Sequence, residues 1–199
     1  LRLFLEFNKD KRLKFKFLKK LIITGEELTV DLVNDFYRLY DNVKLFNAYG
    51  QAECSDDVLH YELEKKIGYK NIPLGKPINN TEIYIMDKKN RLKPVGISGE
   101  ICVAGDCLSE GYLNKSKLNY SKFVSHPIIK DRKIFKTGDI GRLNQNNEIE
   151  FLGRFDNQIK INGSKVELDE LEKYFKSFSS IKNCIVTLKE YKKNKHLVV

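Results

Sequence analysis

Apolar residues fall in short clustered runs along this chain, and their spacing changes character twice. Leu21-Ile22-Ile23 is a continuous apolar run ended by Thr24-Gly25, which predicts a buried strand. Leu32, Val33, Phe36, Tyr37 and Tyr40 then recur at helical spacing behind Thr29, whose hydroxyl can cap the first turn. Val43–Tyr49 is a second strand candidate ending at Gly50. Strand, helix and strand in that order predict a parallel βαβ unit. After about residue 70, Glu82–Met86, Gly99–Ala104 and Glu148–Leu152 are short strand candidates separated by Gly, Pro and Asn turns, as in a small antiparallel barrel or sheet. Near residue 155 the texture shifts again. Gln158–Ile161 and Ser164–Leu168 flank Asn162-Gly163, a strong hairpin signal. Leu168, Leu171, Phe175 and Phe178 mark a helical face, and Ile181–Leu188 is expected to be a strand.

Composition narrows the function classes. The chain has 199 residues, 41% of them hydrophobic, enough to bury a core. No run approaches the roughly 20 apolar residues of a membrane span. The opening LRLFLEF has neither a charged region before it nor a small-residue cleavage site, so no signal peptide is expected. The four cysteines form no CxxC pair, so zinc and disulfides are not expected and a reducing, cytoplasmic setting is. The net charge of +9 sits largely in Lys9–Lys20 and Lys189–Lys195. Such runs are solvated faces unless a nucleic-acid motif accompanies them, and none does.

Four segments carry the chemistry: Asn47-Ala48-Tyr49-Gly50-Gln51-Ala52-Glu53; Gly99-Glu100-Ile101-Cys102-Val103-Ala104-Gly105 with Gly111-Tyr112-Leu113; Phe135-Lys136-Thr137-Gly138-Asp139; and Gly153-Arg154-Phe155-Asp156-Asn157-Gln158-Ile159-Lys160-Ile161-Asn162-Gly163. In this order and at these separations they resemble the core motifs of adenylate-forming, AMP-binding enzymes. The segment from Asp156 to Glu172 is similar to the adenylation domains of nonribosomal peptide synthetases rather than to acyl-CoA synthetases. The resemblance runs from about Leu21 to the C-terminus.

The resemblance implies an α/β fold. Residues 1–155 would be the end of a large AMP-binding domain, with a βαβ portion to about 70 and a small antiparallel β-barrel over 71–155. Residues 156–199 would begin a mobile α+β C-terminal domain. It implies ATP and magnesium as cofactors and a phosphopantetheine arm on a peptidyl carrier protein domain, on the same polypeptide, as partner.

Residue by residue, a purine needs an aromatic face and an amide partner, which Tyr49 and Asn47 can supply at a strand end beside Gly50. A buried strand tyrosine is the plain alternative. Glu53 resembles the family's magnesium-binding glutamate, a hard oxygen ligand, whereas composition alone favours a solvated surface acid. The family carries Pro-Thr before it, with the Thr hydroxyl near the α-phosphate. Here the pair is Gln51-Ala52, and Ala52 cannot make that contact. Asp139, behind Thr137-Gly138, resembles the ribose-binding aspartate, though Asp beside Gly is also a common turn. Arg154 offers a donor fork to ribose or phosphate, or a surface ion pair. Lys160 resembles a basic residue near the hinge. Asp156 resembles the hinge itself, and Gly163 the pantetheine tunnel. Thr24, Gly25, Ala48, Asp56 and Asp57 resemble positions around the amino-acid side-chain pocket, and the two carboxylates suit a polar or cationic substrate group.

No catalytic residue is assigned within the chain. The resemblance places the phosphate loop before residue 1 and the catalytic lysine after Val199, so a fragment inactive on its own is expected. The function implied is activation of an amino acid by ATP to aminoacyl-AMP, then transfer to the carrier thiol. A D-alanine–carrier-protein ligase or an acyl-CoA synthetase keeps the chemistry with another acid or acceptor. A non-catalytic basic binding module is the reading from a different class, and a salt-steep nucleic-acid affinity would mark it.

Overall fold

The computed structural model describes residues 1–11, 15–65, 68–155, 158–161, 164–191 and 194–199, with side chains at all of these except 9–11, 158–161, 164–165, 169, 190–191 and 194–195. The chain divides into two units, Leu1–Gly153 and Arg154–Val199.

The first unit opens with helix α1, Arg2–Lys11. Leu1, Leu3 and Leu5 alternate as strand residues do, yet the helix turns Leu5 and Asn8 inward and leaves Leu3 and Phe7 exposed. Strand β1 (Lys20–Ile23), helix α2 (Val30–Leu39) and strand β2 (Lys44–Gln51) follow as the predicted βαβ unit. β1 and β2 pair in parallel, from Lys20 opposite Lys44 to Ile23 opposite Asn47. Thr29 caps α2, its hydroxyl accepting from the N–H of Leu32 at 3.4 Å. Phe36 and Leu45 are fully buried and centre one core, with Leu5, Val33, Tyr40 and Leu63 around them. Thr29→Ala removes a long cap bond and is expected to lower stability by about 1 kcal/mol. A shift of the urea midpoint at unchanged slope is the measurement, and an unmoved midpoint counts against the cap.

After a single tight turn, Ala52–Cys54, strand β3 (Asp56–Leu63) runs back antiparallel to β2. The short β4 (Lys76–Pro77) completes a four-stranded sheet in the order β1-β2-β3-β4. The spacing pattern does not reveal β3, because Asp56, Asp57, His60 and Glu62 interrupt its apolar positions.

The second sheet is antiparallel throughout. It contains β5 (Thr81–Met86), β6 (Gly99–Gly105), β7 (Phe123–Ser125), β8 (Lys133–Leu143) and β9 (Ile149–Arg154), ordered β5-β6-β8-β7 with β9 also on β8. Helix α3 (Ser116–Lys122) leads into β7. β6 is buried along nearly its whole length, which suits its small and apolar residues, with Glu100 the one charged side chain among them. Cys54, Val58 and Leu59 share a core with Ile85, Ile101, Val103 and Phe135, so the turn after β2 is seated against the second sheet. Burial holds the Cys54 thiol up to about 12, leaving it a neutral packing group.

In the second unit, β10 (Gln158–Ile161) and β11 (Ser164–Glu167) pair antiparallel, with Ile161 opposite Ser164. Helix α4 (Leu168–Lys176) packs Leu168, Leu171 and Phe175 on Cys184 and Val186. Phe178 lies beyond the helix, exposed and edge-on to Tyr174. The expected strand over Ile181–Leu188 starts later, as β12 (Thr187–Tyr191), paired with β13 (Asn194–Val198). From Asn183 to Val186 the side chains alternate outward and inward as a strand's would, although Lys182 before them is also exposed. Among the described residues, however, no neighbouring strand bonds their backbone; burial of Cys184 and Val186 fixes them, with the N–H of Ile181 donating to the Phe178 carbonyl at 2.9 Å and that of Val186 to Glu172 Oε1 at 3.0 Å. All four cysteines are free thiols. Among the described residues no helix is long and apolar enough to cross a membrane.

Candidate functional site

β1 and β2 run parallel until β1 ends at Ile23 opposite Asn47, and β2 continues to Gln51 before the chain reverses into β3. Carboxyl ends of parallel strands leave an open crevice where the backbone turns away. Gly50 permits the reversal here. A Cβ at this position would lie 1.2 Å from the Asp56 carbonyl oxygen. Ser55 and Asp56 take up the turn in the left-handed region, at φ of 60° and 73°. The β2–β3 register slips between Tyr49 and Gly50.

Asn47, Ala48 and Tyr49, with Gln51 beyond Gly50, are thereby spread along one strand end. Asn47 is buried, and its amide donates to the Pro73 carbonyl at 2.7 Å, which ties β2 to the segment before β4. Ala48 is buried and small. Tyr49 is half-buried, and its hydroxyl donates to Asp139 Oδ2 at 2.5 Å. Desolvation first, then the Asp139 charge, push the phenol well above its ordinary value, so it stays a donor. Gln51 donates from Nε2 to the same Asp139 oxygen at 2.8 Å and to the Thr137 carbonyl at 3.1 Å. Two motifs some 90 residues apart thus meet on one carboxylate.

Gln51 is a residue that sequence reasoning passed over. It stands where the resembled family carries Pro, and proline has no amide to donate. That departure was the signal available. Its buried side chain does here what the strand ladder cannot, joining β2 to β8.

Glu53 lies in the Ala52–Cys54 turn. Its Oε1 accepts from the Tyr112 hydroxyl at 2.7 Å, and its backbone carbonyl accepts from the N–H of Ser109 at 2.9 Å. Burial first, then the bond to Glu53, raise the Tyr112 phenol, which remains protonated and donating. Tyr112 is itself clamped: its N–H donates to Asn119 Oδ1 at 2.7 Å and its carbonyl accepts from Asn119 Nδ2 at 2.9 Å. Ala52 is exposed beside this group.

On the other side of β2, the Thr24 hydroxyl donates to Asp57 Oδ1 at 2.6 Å. That bond spans from the end of β1 to β3, across the β2 residues Ala48 to Gly50. Gly25 follows with φ of 91°. Asp56 is exposed at the left-handed turn, one residue before this pair's carboxylate. Arg154 is half-buried at the start of the second unit, where Lys160 lies in β10 with its side chain outside the described residues. Asp156 and Gly163 lie outside the described residues altogether.

Relatives share this chain's sequence and fold. The family described as AMP-binding enzyme matches residues 1–113. The chain is 40% identical over 173 residues to bacitracin synthase 1 of Bacillus licheniformis, a match covering 85% of this chain and 3% of that protein. It is 36% identical over 173 residues to tyrocidine synthase 3 of Brevibacillus parabrevis, covering 87% of this chain and 3% of that one. A solved NRPS protein containing adenylation and PCP domains is similar at a TM-score of 0.83 and 27% identity, covering 92% of this chain and 38% of that chain. The chain therefore spans well under half the length of each of these relatives.

Proposed function

Because this chain belongs to the AMP-binding enzyme family, we propose that the protein carrying it activates an amino acid with ATP and passes the aminoacyl group to a carrier-bound phosphopantetheine thiol. The observation that carries the reading is the meeting of Tyr49, Gln51 and Asp139 at the end of β2, with Glu53 on the next turn. Similarity to peptide synthases and to a protein with adenylation and PCP domains favours an amino acid and a carrier over a fatty acid and coenzyme A.

In this reading an amino-acid carboxylate oxygen attacks the α-phosphorus of ATP. The bond to the bridging oxygen breaks and pyrophosphate leaves. The thiolate then attacks the acyl carbonyl, a thioester forms and AMP departs. Asp139 is buried, and two donors on one oxygen fix the orientation of its carboxyl group, a group suited to paired ribose hydroxyls. Tyr49 offers its ring to the purine while its hydroxyl remains on Asp139, Asn47 stiffens the strand beneath, and Gly50 keeps the turn close. Thr24, Gly25, Ala48, Asp56 and Asp57 form the substrate side-chain region. The Thr24–Asp57 pair favours a substrate group that donates hydrogen bonds or carries positive charge. Arg154 and Lys160 are assigned to the nucleotide, Asp156 to the hinge and Gly163 to the pantetheine path, on the sequence resemblance. Asp156 lies two residues beyond the start of the second unit.

Glu53 fits a magnesium ligand. Among the described residues no three His, Cys, Asp or Glu side chains gather into a closed metal cage. Magnesium characteristically takes one or two carboxylates and completes its shell with phosphate oxygens and water. When bound, magnesium neutralises phosphate charge as pyrophosphate leaves.

The direct test is exchange of labelled pyrophosphate into ATP by the full-length protein, supplied with single amino acids. Exchange is expected with one polar or cationic amino acid. No exchange with any amino acid, together with fatty acyl-AMP formation, sinks the amino-acid reading. Ala52→Thr adds a hydroxyl at an exposed turn position, and one well-placed hydrogen bond contributes on the order of 1 kcal/mol. Exchange rate is expected to hold or rise, and a clear loss means the Gln51-Ala52 turn approaches the phosphates differently.

A further inference from the structure

The carboxylate of Asp139 sits on a break in the sheet, and the break is held by a second buried acid. Glu100 of β6 pairs with Ile140 of β8, and Cys102 pairs with Lys136. Thr137, Gly138 and Asp139 therefore face the single residue Ile101, a bulge of the kind that re-aims side chains. Bulged residues lose their ladder partners, and buried N–H groups need replacements. Here the replacements are side chains. The N–H of Gly138 donates to Glu100 Oε1 at 3.0 Å, and the N–H of Asp139 donates to Thr137 Oγ1 at 3.0 Å. The Thr137 hydroxyl in turn donates to the Ile101 carbonyl at 2.7 Å. Gly138 adopts φ of 81°, which the bulge requires and glycine accepts freely. Glu100 is 9% exposed, and its other oxygen is compensated by Lys136 Nζ at 3.2 Å, which also reaches Asn90 Oδ1 at 3.3 Å.

We propose that Glu100 is a positioning residue for the nucleotide site: by holding the Gly138 N–H it fixes the bulge that presents the Asp139 carboxylate to ATP. The inference rests on Asp139 being a nucleotide contact. Glu100 touches no substrate in this account. It acts through one backbone amide, so an acceptor at that point matters more than the charge. Lys136 pairs with the other oxygen of Glu100 but is not part of the chain of contacts to Asp139.

Two substitutions of matched length separate these roles in the full-length protein. Glu100→Gln keeps an oxygen able to accept from Gly138, while Glu100→Met keeps the bulk and removes the acceptor. Calorimetric ATP binding is the primary readout, with KM for ATP and for the amino acid alongside. Glu100→Met is expected to raise the ATP Kd by about 10- to 100-fold, because small misplacements of binding groups are costly. KM for the amino acid should stay near the parent value, and Gln should recover most of what Met loses. Met and Gln variants with equal ATP affinity overturn the proposal, as does an equal loss toward both substrates. Thr137→Val cuts the other support of the bulge and is expected to weaken ATP selectively too. It supplies the test should Glu100→Met not fold, and parental ATP affinity in it overturns the proposal. Asp139→Ala is measured in parallel. If it leaves ATP affinity intact, the nucleotide reading of Asp139 fails. If it abolishes affinity while the Met and Val variants do not, only the role given to Glu100 fails.

Discussion

Glu53→Gln in the full-length protein is expected to lower amino-acid-dependent ATP–pyrophosphate exchange by about two to three orders of magnitude, the usual cost of losing one strong charge-stabilising group. Gln preserves the length of the side chain and can still accept from the Tyr112 hydroxyl, so the turn between β2 and β3 should survive. What it loses is the negative oxygen that a hard cation prefers. The deficit should therefore shrink as magnesium is raised, and thermal stability should change little. Tyr112→Phe is the graded companion. It leaves Glu53 charged but removes the donor that orients it, and such supporting contacts are commonly worth about 10- to 100-fold in metal affinity or activity. Parental exchange in Glu53→Gln across the magnesium range would remove Glu53 from the site.

Gly50→Ala should produce a loss of a different kind. The added methyl would sit 1.2 Å from the Asp56 carbonyl oxygen and 2.9 Å from the Asp57 Cα. Both obstacles are backbone, so no side chain can swing aside. They belong to a reversal that already holds Ser55 and Asp56 in the left-handed region. The end of β3 must part from β2, and such overpacking costs about 1–3 kcal/mol or more. The displaced turn carries Glu53, and the displaced strand carries Asp57 opposite Thr24. Exchange should therefore fall by on the order of 100-fold, with substrate affinity and stability falling together. Gly68→Ala is the matched control. Nothing lies within 4 Å of a Cβ there, and stability should move by less than about 0.5 kcal/mol. Normal exchange in Gly50→Ala would mean that the close approach of β2 and β3 is not needed for function.

The two expected results draw on different information. The pattern of Tyr49, Gly50 and Glu53 that makes Glu53 a candidate was legible in the order of residues. That Tyr112 holds Glu53 was not, because 59 residues separate them and nothing in spacing predicts which phenol meets which carboxylate. Gln51 is similar: the departure from the family's Pro was visible, but its two bonds to β8 were not.

By itself, the sequence determined what local physics controls. The amphipathic face of α2, its Thr29 cap, the parallel strands on either side and the short strands between Gly, Pro and Asn turns follow from side-chain period and backbone preference, which act over a few residues. Local pattern failed where burial and periodicity diverge. The leucines of α1 alternate as a strand's would, β3 was masked by its charged positions, and Asn183–Val186 alternated without a partner strand among the described residues. Only the tertiary structure decided the site's connections. Asp139 receives Tyr49 and Gln51 because a bulge in β8 turns it toward β2. That bulge persists because Glu100, on a neighbouring strand, accepts an N–H the ladder left over. Such contacts depend on strand register across a sheet, a long-range quantity that pairs residues by where the chain returns and not by how far apart they lie along it.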